Sequence, residues 1–195
     1  MTDCGCHHQA KTKHEKKILQ VALALNLLMF IVGLIAGVLA DSTALIADAF
    51  DMLADSLAYL LGLIAIGKTG QFKARIASLS GVLLFLLGIG LLIEASRRAW
   101  FGSEPESSAM MIVACLSLIV NLIVLKLLSS FRDDEVHLRA TWIFTRADVI
   151  ANIGVILSGA LVWVLNSNYP DLIAGFIIGL YVTKEAKEIF KMTGE

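Results

Sequence analysis

Proline is scarce in this chain, with two residues in 195. Proline breaks helix interiors by removing a backbone donor and clashing with the preceding turn, so its rarity leaves long unbroken helices open. Cysteine is scarce as well. Cys4 and Cys6 lie near the N-terminus and Cys115 inside an apolar segment, which excludes a disulfide framework. Charged residues make up 17%, against about 25% in a soluble domain. What takes their place is apolar: 57% of residues are hydrophobic and the mean hydropathy is +0.79. That exceeds the roughly 45–50% of soluble domains and reads as an all-α, polytopic membrane protein. Fifteen glycines suit close helix packing in lipid. The net charge of −1 decides little, because the placement of charge matters more than its sum. The N-terminus does not read as a signal peptide. Its polar opening runs straight into a segment of full spanning length.

A membrane span needs about 20 predominantly apolar residues. Six segments qualify: roughly Lys17–Ala40, Ala44–Ile66, Ala74–Arg97, Ser108–Ser129, Leu138–Leu165 and Tyr169–Phe190. The fifth is the weakest by hydropathy, since its first turns carry Arg139, Arg146, Asp148 and Asn152. Asp41-Ser42-Thr43 and Asn166-Ser167-Asn168 are short connections, which make the first two and the last two spans antiparallel hairpins. Basic residues are one-sided. Lys11, Lys13, Lys16, Lys17, Lys68, Lys73, Arg75, Lys126, Arg132, Arg139, Lys184, Lys187 and Lys191 fall on one side. Arg97 and Arg98 fall on the other, with Glu104, Glu106 and Asp171. Basic loops stay cytoplasmic, so both termini are expected there. The expected organisation is a tail over residues 1–16 and a six-span domain over 17–195, with no soluble domain after the last span.

Against this background the intramembrane acids stand out. Asp48, Asp51 and Asp55 lie in one apolar stretch, and Glu94 and Asp148 in two others. A charge at mid-bilayer costs roughly 3 kcal/mol on insertion scales. At helical pitch Asp48, Asp51 and Asp55 fall at i, i+3 and i+7 and share one face. Asp51 and Asp55 at i and i+4 point the same way and can grip one divalent ion, with Asp148 from a facing helix closing the site. Carboxylate oxygens suit Zn²⁺, Mn²⁺, Mg²⁺ and Ca²⁺. The plainer alternative, acids capped by Arg146 or by Asn and Ser side chains, accounts poorly for three of them on facing helices.

Asp48 fits a ligand, a proton site, a hydrogen-bond partner of a ligand or a structural role. Asn152, one turn after Asp148, offers a neutral oxygen. Asn26 and Asn121 read mainly as interhelical hydrogen-bonding amides. Arg146, two residues before Asp148, points away from it, toward the cytoplasmic interface or another acid. Glu94 with Arg97 and Arg98 at i+3 and i+4 reads as an interfacial ion-pair group. In the tail, Cys4, Cys6, His7, His8 and His14 offer soft metal ligands whose spacing matches no closed tetrahedral site but suits flexible metal capture. Asp133-Asp134-Glu135 with His137 reads as a solvated acidic loop.

The run from Ser42 through Ala47-Asp48 to Asp51 and Asp55 resembles the second span of the cation diffusion facilitator family. That family's pattern is a Ser, an Ala-Asp pair, then His or Asp four residues before Asp. Asp148 with Asn152 is similar to the fifth span, Glu94-Ala95-Ser96-Arg97-Arg98 to the end of the third, and Tyr169-Pro170-Asp171 to the start of the sixth. The resemblance covers nearly the whole chain. It implies a non-enzymatic efflux transporter that exchanges a divalent transition metal for protons, with Asp51, Asp55 and Asp148 as metal ligands. It implies Zn²⁺, Co²⁺ or Cd²⁺ as substrate, leaving Mn²⁺ and Fe²⁺ open. No cofactor and no nucleic acid are expected. The expected location is the bilayer of a bacterial inner membrane.

Two departures from the family's pattern matter. Phe144 stands where the family has His or Asp four residues before the fifth-span Asp. The fourth ligand then falls to Asn152, Asp48, Thr145 or water, and without an imidazole the site becomes harder. The family's cytoplasmic C-terminal domain is also absent from this sequence. The chain therefore resembles the short, membrane-only members, and a homodimer is expected to form through the spans. Two other function classes compete. A proton-coupled organic-cation exporter would want aromatic residues around the acids, and Phe50, Tyr59 and Phe144 are near in sequence but form no pattern. A non-transporting, metal-sensing membrane subunit would use the tail.

Overall fold

The structure, a computed structural model, describes the backbone of residues 4–39, 43–101, 108–165, 167 and 169–194; side chains are described from residue 12 on, apart from 37, 43–47, 108–114 and 171. Among the described residues there are six α-helices and no strand: α1 Cys4–Leu39, α2 Thr43–Ala65, α3 Gly70–Phe101, α4 Ser108–Leu127, α5 Val136–Leu165 and α6 Tyr169–Thr193. A 3₁₀ turn, Leu128–Phe131, follows α4. Each expected span coincides with one helix. The largest difference is at α1, which starts at Cys4, so the backbone of the expected flexible tail is helical. No proline interrupts it. Thr12–Ala36, Gly70–Phe101 and Val136–Leu165 are each long and apolar enough to cross a membrane by themselves. The fifth span is among them, because Val149–Leu165 outweighs the polar first turns.

Local chemistry sets the helix ends. After α2, Gly67 takes a positive φ of 78°, a left-handed conformation that costs glycine little. The Lys68 N–H then donates to the Ala65 carbonyl at 3.1 Å. Thr69 Oγ1 accepts from the Phe72 N–H at 3.4 Å and caps the start of α3. This turn and the α4–α5 connection lie on one side of the bundle, called here the turn side. There Lys73 pairs with Glu135 at 2.5 Å.

α1 packs along α2, and α3 along α6, while α5 touches α2, α3, α4 and α6. The α3–α6 seam is made close by small residues. A Cβ on Gly88 would stand 2.6 Å from Thr183 Oγ1 and 2.9 Å from its backbone N. Without a hydrophobic driving force between helices in lipid, such close approach is what holds them. One apolar core joins Ala58, Ala140, Ile143, Phe144, Ala147, Val182, Ala186 and Ile189 from α2, α5 and α6. A second joins Leu19, Ala22, Tyr59, Val124, Leu128 and Leu138. The outer surface is apolar, with Leu28, Ile31, Leu86, Ile93, Ile177 and Leu180 exposed. Trp100, Trp163 and Tyr169 cluster toward the end away from the turn side, where an aromatic belt meets the lipid interface.

Candidate functional site

A cavity of about 280 Å³ lies between α2, α3, α5 and α6. Asp51 and Asp55 of α2 and Asp148 and Asn152 of α5 line it, with Phe144 beside them and Glu94 also in the wall. The helical pitch of α2 brings Asp51 and Asp55 to this one wall, four residues apart. Asp148 faces them because α5 crosses against α2.

The acids differ in how they are held. Asp55 is 1% exposed, and neither of its carboxylate oxygens has a hydrogen-bond partner. A buried carboxylate without donors is costly, so this group calls for a cation or a proton. Asp51 is exposed to the cavity. Asp148 Oδ2 accepts from Asn152 Nδ2 at 3.0 Å and from Asn121 Nδ2 on α4. Both donors converge on one oxygen, which leaves Oδ1 for other partners. Asn152 donates through nitrogen, so its own carbonyl oxygen stays available as a neutral donor to a cation.

Asp48, on the same helical face, does not line the cavity. Its Oδ2 accepts from Ser117 Oγ of α4 at 2.8 Å, which ties α2 to α4. Among the described residues no three His, Cys, Asp or Glu side chains form a ready metal cage. The arrangement is a cavity with separate carboxylates on facing walls.

Phe144 is buried, lines the cavity and sits one turn before Asp148, so the wall here is apolar. Thr145 is not in that wall. Its hydroxyl contacts Tyr59 Oη at 3.0 Å and donates to the Thr141 carbonyl at 3.1 Å. Glu94 accepts from Arg97 at 2.8 and 2.7 Å and from Arg98 at 3.0 Å, the expected ion-pair group, and it also reaches the cavity. Asn121 bonds across helices as expected. Asn26 does not: its Nδ2 donates to the Ala22 carbonyl one turn earlier in its own helix at 3.2 Å. Arg146 points away from Asp148 and pairs with Glu185 of α6. In the acidic loop Glu135 is exposed, but His137 is buried at 1% exposure rather than solvated. The helical start at Val136 turns it inward.

The side chains of Cys4, Cys6, His7 and His8 lie outside the described residues, and His14 is exposed on α1. Ser117 and Glu185 had no local signal as partners. Both are ordinary helix residues until α4 and α6 bring them to Asp48 and Arg146.

The family described as cation efflux transmembrane domain matches residues 19–195. The metal cation efflux system protein CzcD of Cupriavidus metallidurans is 32% identical over 179 residues, covering 86% of this chain and 57% of that protein. The cadmium, cobalt and zinc/H(+)-K(+) antiporter of Bacillus subtilis is 26% identical over 200 residues, covering 94% of this chain and 64% of the relative. The proton-coupled zinc antiporter SLC30A2 of Mus musculus is 28% identical over 208 residues, covering 92% and 56%. The chain therefore spans less than two thirds of the length of these relatives.

Proposed function

This chain belongs to the cation efflux family, an integral, multi-pass membrane family, and on that premise we propose that it carries a divalent transition-metal ion out of the cytoplasm in exchange for protons. The observation that supports this most is Asp55: a buried carboxylate with no donor, in a cavity shared with Asp51 and Asp148. An ion entering the cavity draws the three acids together and offsets their mutual repulsion. Asn121 and Asn152 hold Asp148 so that Oδ1 meets the ion. A proton on any of these carboxylates must leave before metal binds, which makes the two cargoes exclusive. Alternating access around this mid-membrane site then moves metal one way and protons the other.

The Bacillus subtilis relative named for cadmium, cobalt and zinc and the Mus musculus relative named for zinc point to the same ions here. With Phe144 in the wall, the site has oxygen donors and no nitrogen, so Mn²⁺ and Fe²⁺ also fit its chemistry. The one-sided basic residues support cytoplasmic termini and an inner-membrane location. Cys4, Cys6, His7, His8 and His14 are assigned to capturing metal on that side, and a second copy of the chain is expected to pack through the spans.

The test is calorimetric titration of Zn²⁺ or Cd²⁺ into purified protein in detergent. Wild type should bind, and Asp55→Ala and Asp148→Ala should not, while all three elute as the same folded species. Equal affinity in wild type and both variants would remove the site from the cavity.

A further inference from the structure

The cavity has a direction. Its lining runs from Asp55, Phe144 and Asp148 through Leu87, Gly90 and Leu91 of α3 to Glu94, whose carboxylate is partly exposed beside Arg97. α3 runs away from the turn side, so the cavity extends toward the opposite side. On the turn side of the acids side-chain contacts tie the helices to one another. One turn past Asp55, Tyr59 is fully buried and contacts Thr145, tying α2 to α5. At the next residue of α5, Arg146 pairs with Glu185, tying α5 to α6. Glu185 is 4% exposed, and the Arg146 guanidinium lies 4.7 Å over the Trp142 ring. Below these ties Ala140, Ile143, Ala186 and Ile189 are buried in one apolar cluster.

The pair is half-buried, with Glu185 in the interior and the Arg146 side chain 30% exposed, and an ion pair that desolvates a carboxylate is a weak way to hold two helices. Apolar residues of similar volume do as well or better for stability, whereas removing one partner of a buried pair is strongly destabilising to the closed arrangement. A contact that is strong when made and costly when half-made suits an element with two discrete states. Arg146 lies two residues from Asp148, so any movement of α5 that re-aims the carboxylate also moves the pair. Val182, three residues before Glu185, lines the cavity on the facing helix.

We propose that the Arg146–Glu185 ion pair, with the Tyr59–Thr145 contact beside it, is the lock that keeps the metal cavity closed on the turn side. The proposal rests on the transport reading for its purpose, but its test does not need transport. Arg146 and Glu185 act as positioning residues, since neither lines the cavity. Opening toward the turn side requires the pair to part, and the Trp142 ring holds the guanidinium when it does.

The experiment reads access to the cavity from each side. Ala151, in the cavity wall, is replaced by cysteine (Ala151→Cys) in a background of Cys4→Ser, Cys6→Ser and Cys115→Ser. Membrane-impermeant maleimide is applied to oriented vesicles from either face, without metal. The intact lock should give labelling from the Glu94 side and protection from the turn side. Glu185→Gln, which keeps the shape and removes the charge, should raise turn-side labelling on the order of tenfold, as expected when a two-state equilibrium loses a contact that biases it. The reversed pair, Arg146→Glu with Glu185→Arg, should restore protection, and Arg146→Glu alone should not. Unchanged turn-side labelling in Glu185→Gln, or loss of thermal stability with no change of sidedness, would show a packing tie and overturn the proposal. If sidedness shifts but wild-type vesicles carry no metal, the lock stands and the transport reading falls.

Discussion

Asn121→Ala separates a working site from a collection of buried polar groups. Asn121 is fully buried on α4 and donates to Asp148 Oδ2 across the α4–α5 contact. A hydrogen bond to a charged group contributes roughly 1.5–3 kcal/mol when its loss is not made good. Asp148 keeps a second donor, Asn152 at 3.0 Å, and borders a cavity that admits water, so the lower half of that range applies. At about 1.4 kcal/mol per tenfold, metal affinity should fall roughly 10–40-fold. Loss of a group that orients a metal ligand costs 10–100-fold in general, which brackets the same figure. The assay is calorimetric Cd²⁺ titration in detergent, with Asn26→Ala as the control. Asn26 is equally buried in a span, but it bonds only within its own helix, so its removal should leave affinity unchanged. Asn121→Ala and Asn152→Ala share one acceptor oxygen, and their double variant should be non-additive. Equal affinities for wild type and Asn121→Ala, or an equal loss in Asn26→Ala, would show that Asn121 does not hold a metal ligand.

Other outcomes follow from the same geometry. Phe144→His places an imidazole in the cavity one turn from Asp148 and should raise the preference for Zn²⁺ over Mn²⁺ in competition binding; an unchanged preference would mean position 144 does not reach the ion. Metal affinity should rise with pH and fall as protons compete, with an apparent enthalpy that varies with the ionisation heat of the buffer. A buffer-independent enthalpy would uncouple metal from protons. Gly88→Leu drives a side chain into Thr183 and should lower stability by about 1–3 kcal/mol in thermal melts while opening the α3–α6 seam.

Much of this was legible in the sequence because it depends on spacing within one helix. The run Asp48, Asp51, Asp55 shows a shared face by pitch alone, and Phe144 and Asn152 are each one turn from Asp148. Arg146 had to point away from Asp148 for the same reason. What the spacing does not contain is the register between helices. It does not say that Ser117 meets Asp48 and withdraws that acid from the cavity wall, or that Asn121 meets Asp148. Nor does it identify Glu185, 39 positions away, as the partner of Arg146. Those pairings depend on how closely α4 approaches α2 and α5 and how closely α6 approaches α5, which sequence spacing does not contain. The helical stretch before Lys17 was missed because its polar residues read as tail, while a chain poor in proline offers nothing to stop the helix there.

Transport by this chain requires that one cavity bind metal and protons in turn. The most direct measurement follows Zn²⁺ entry and internal pH together in sealed, acid-loaded vesicles containing the purified protein. Wild type should take up Zn²⁺ as the interior becomes more alkaline, and Asp51→Ala and Asp148→Ala should show neither change. Zn²⁺ entry with no proton counterflow, or uptake at the wild-type rate in both variants, would contradict it.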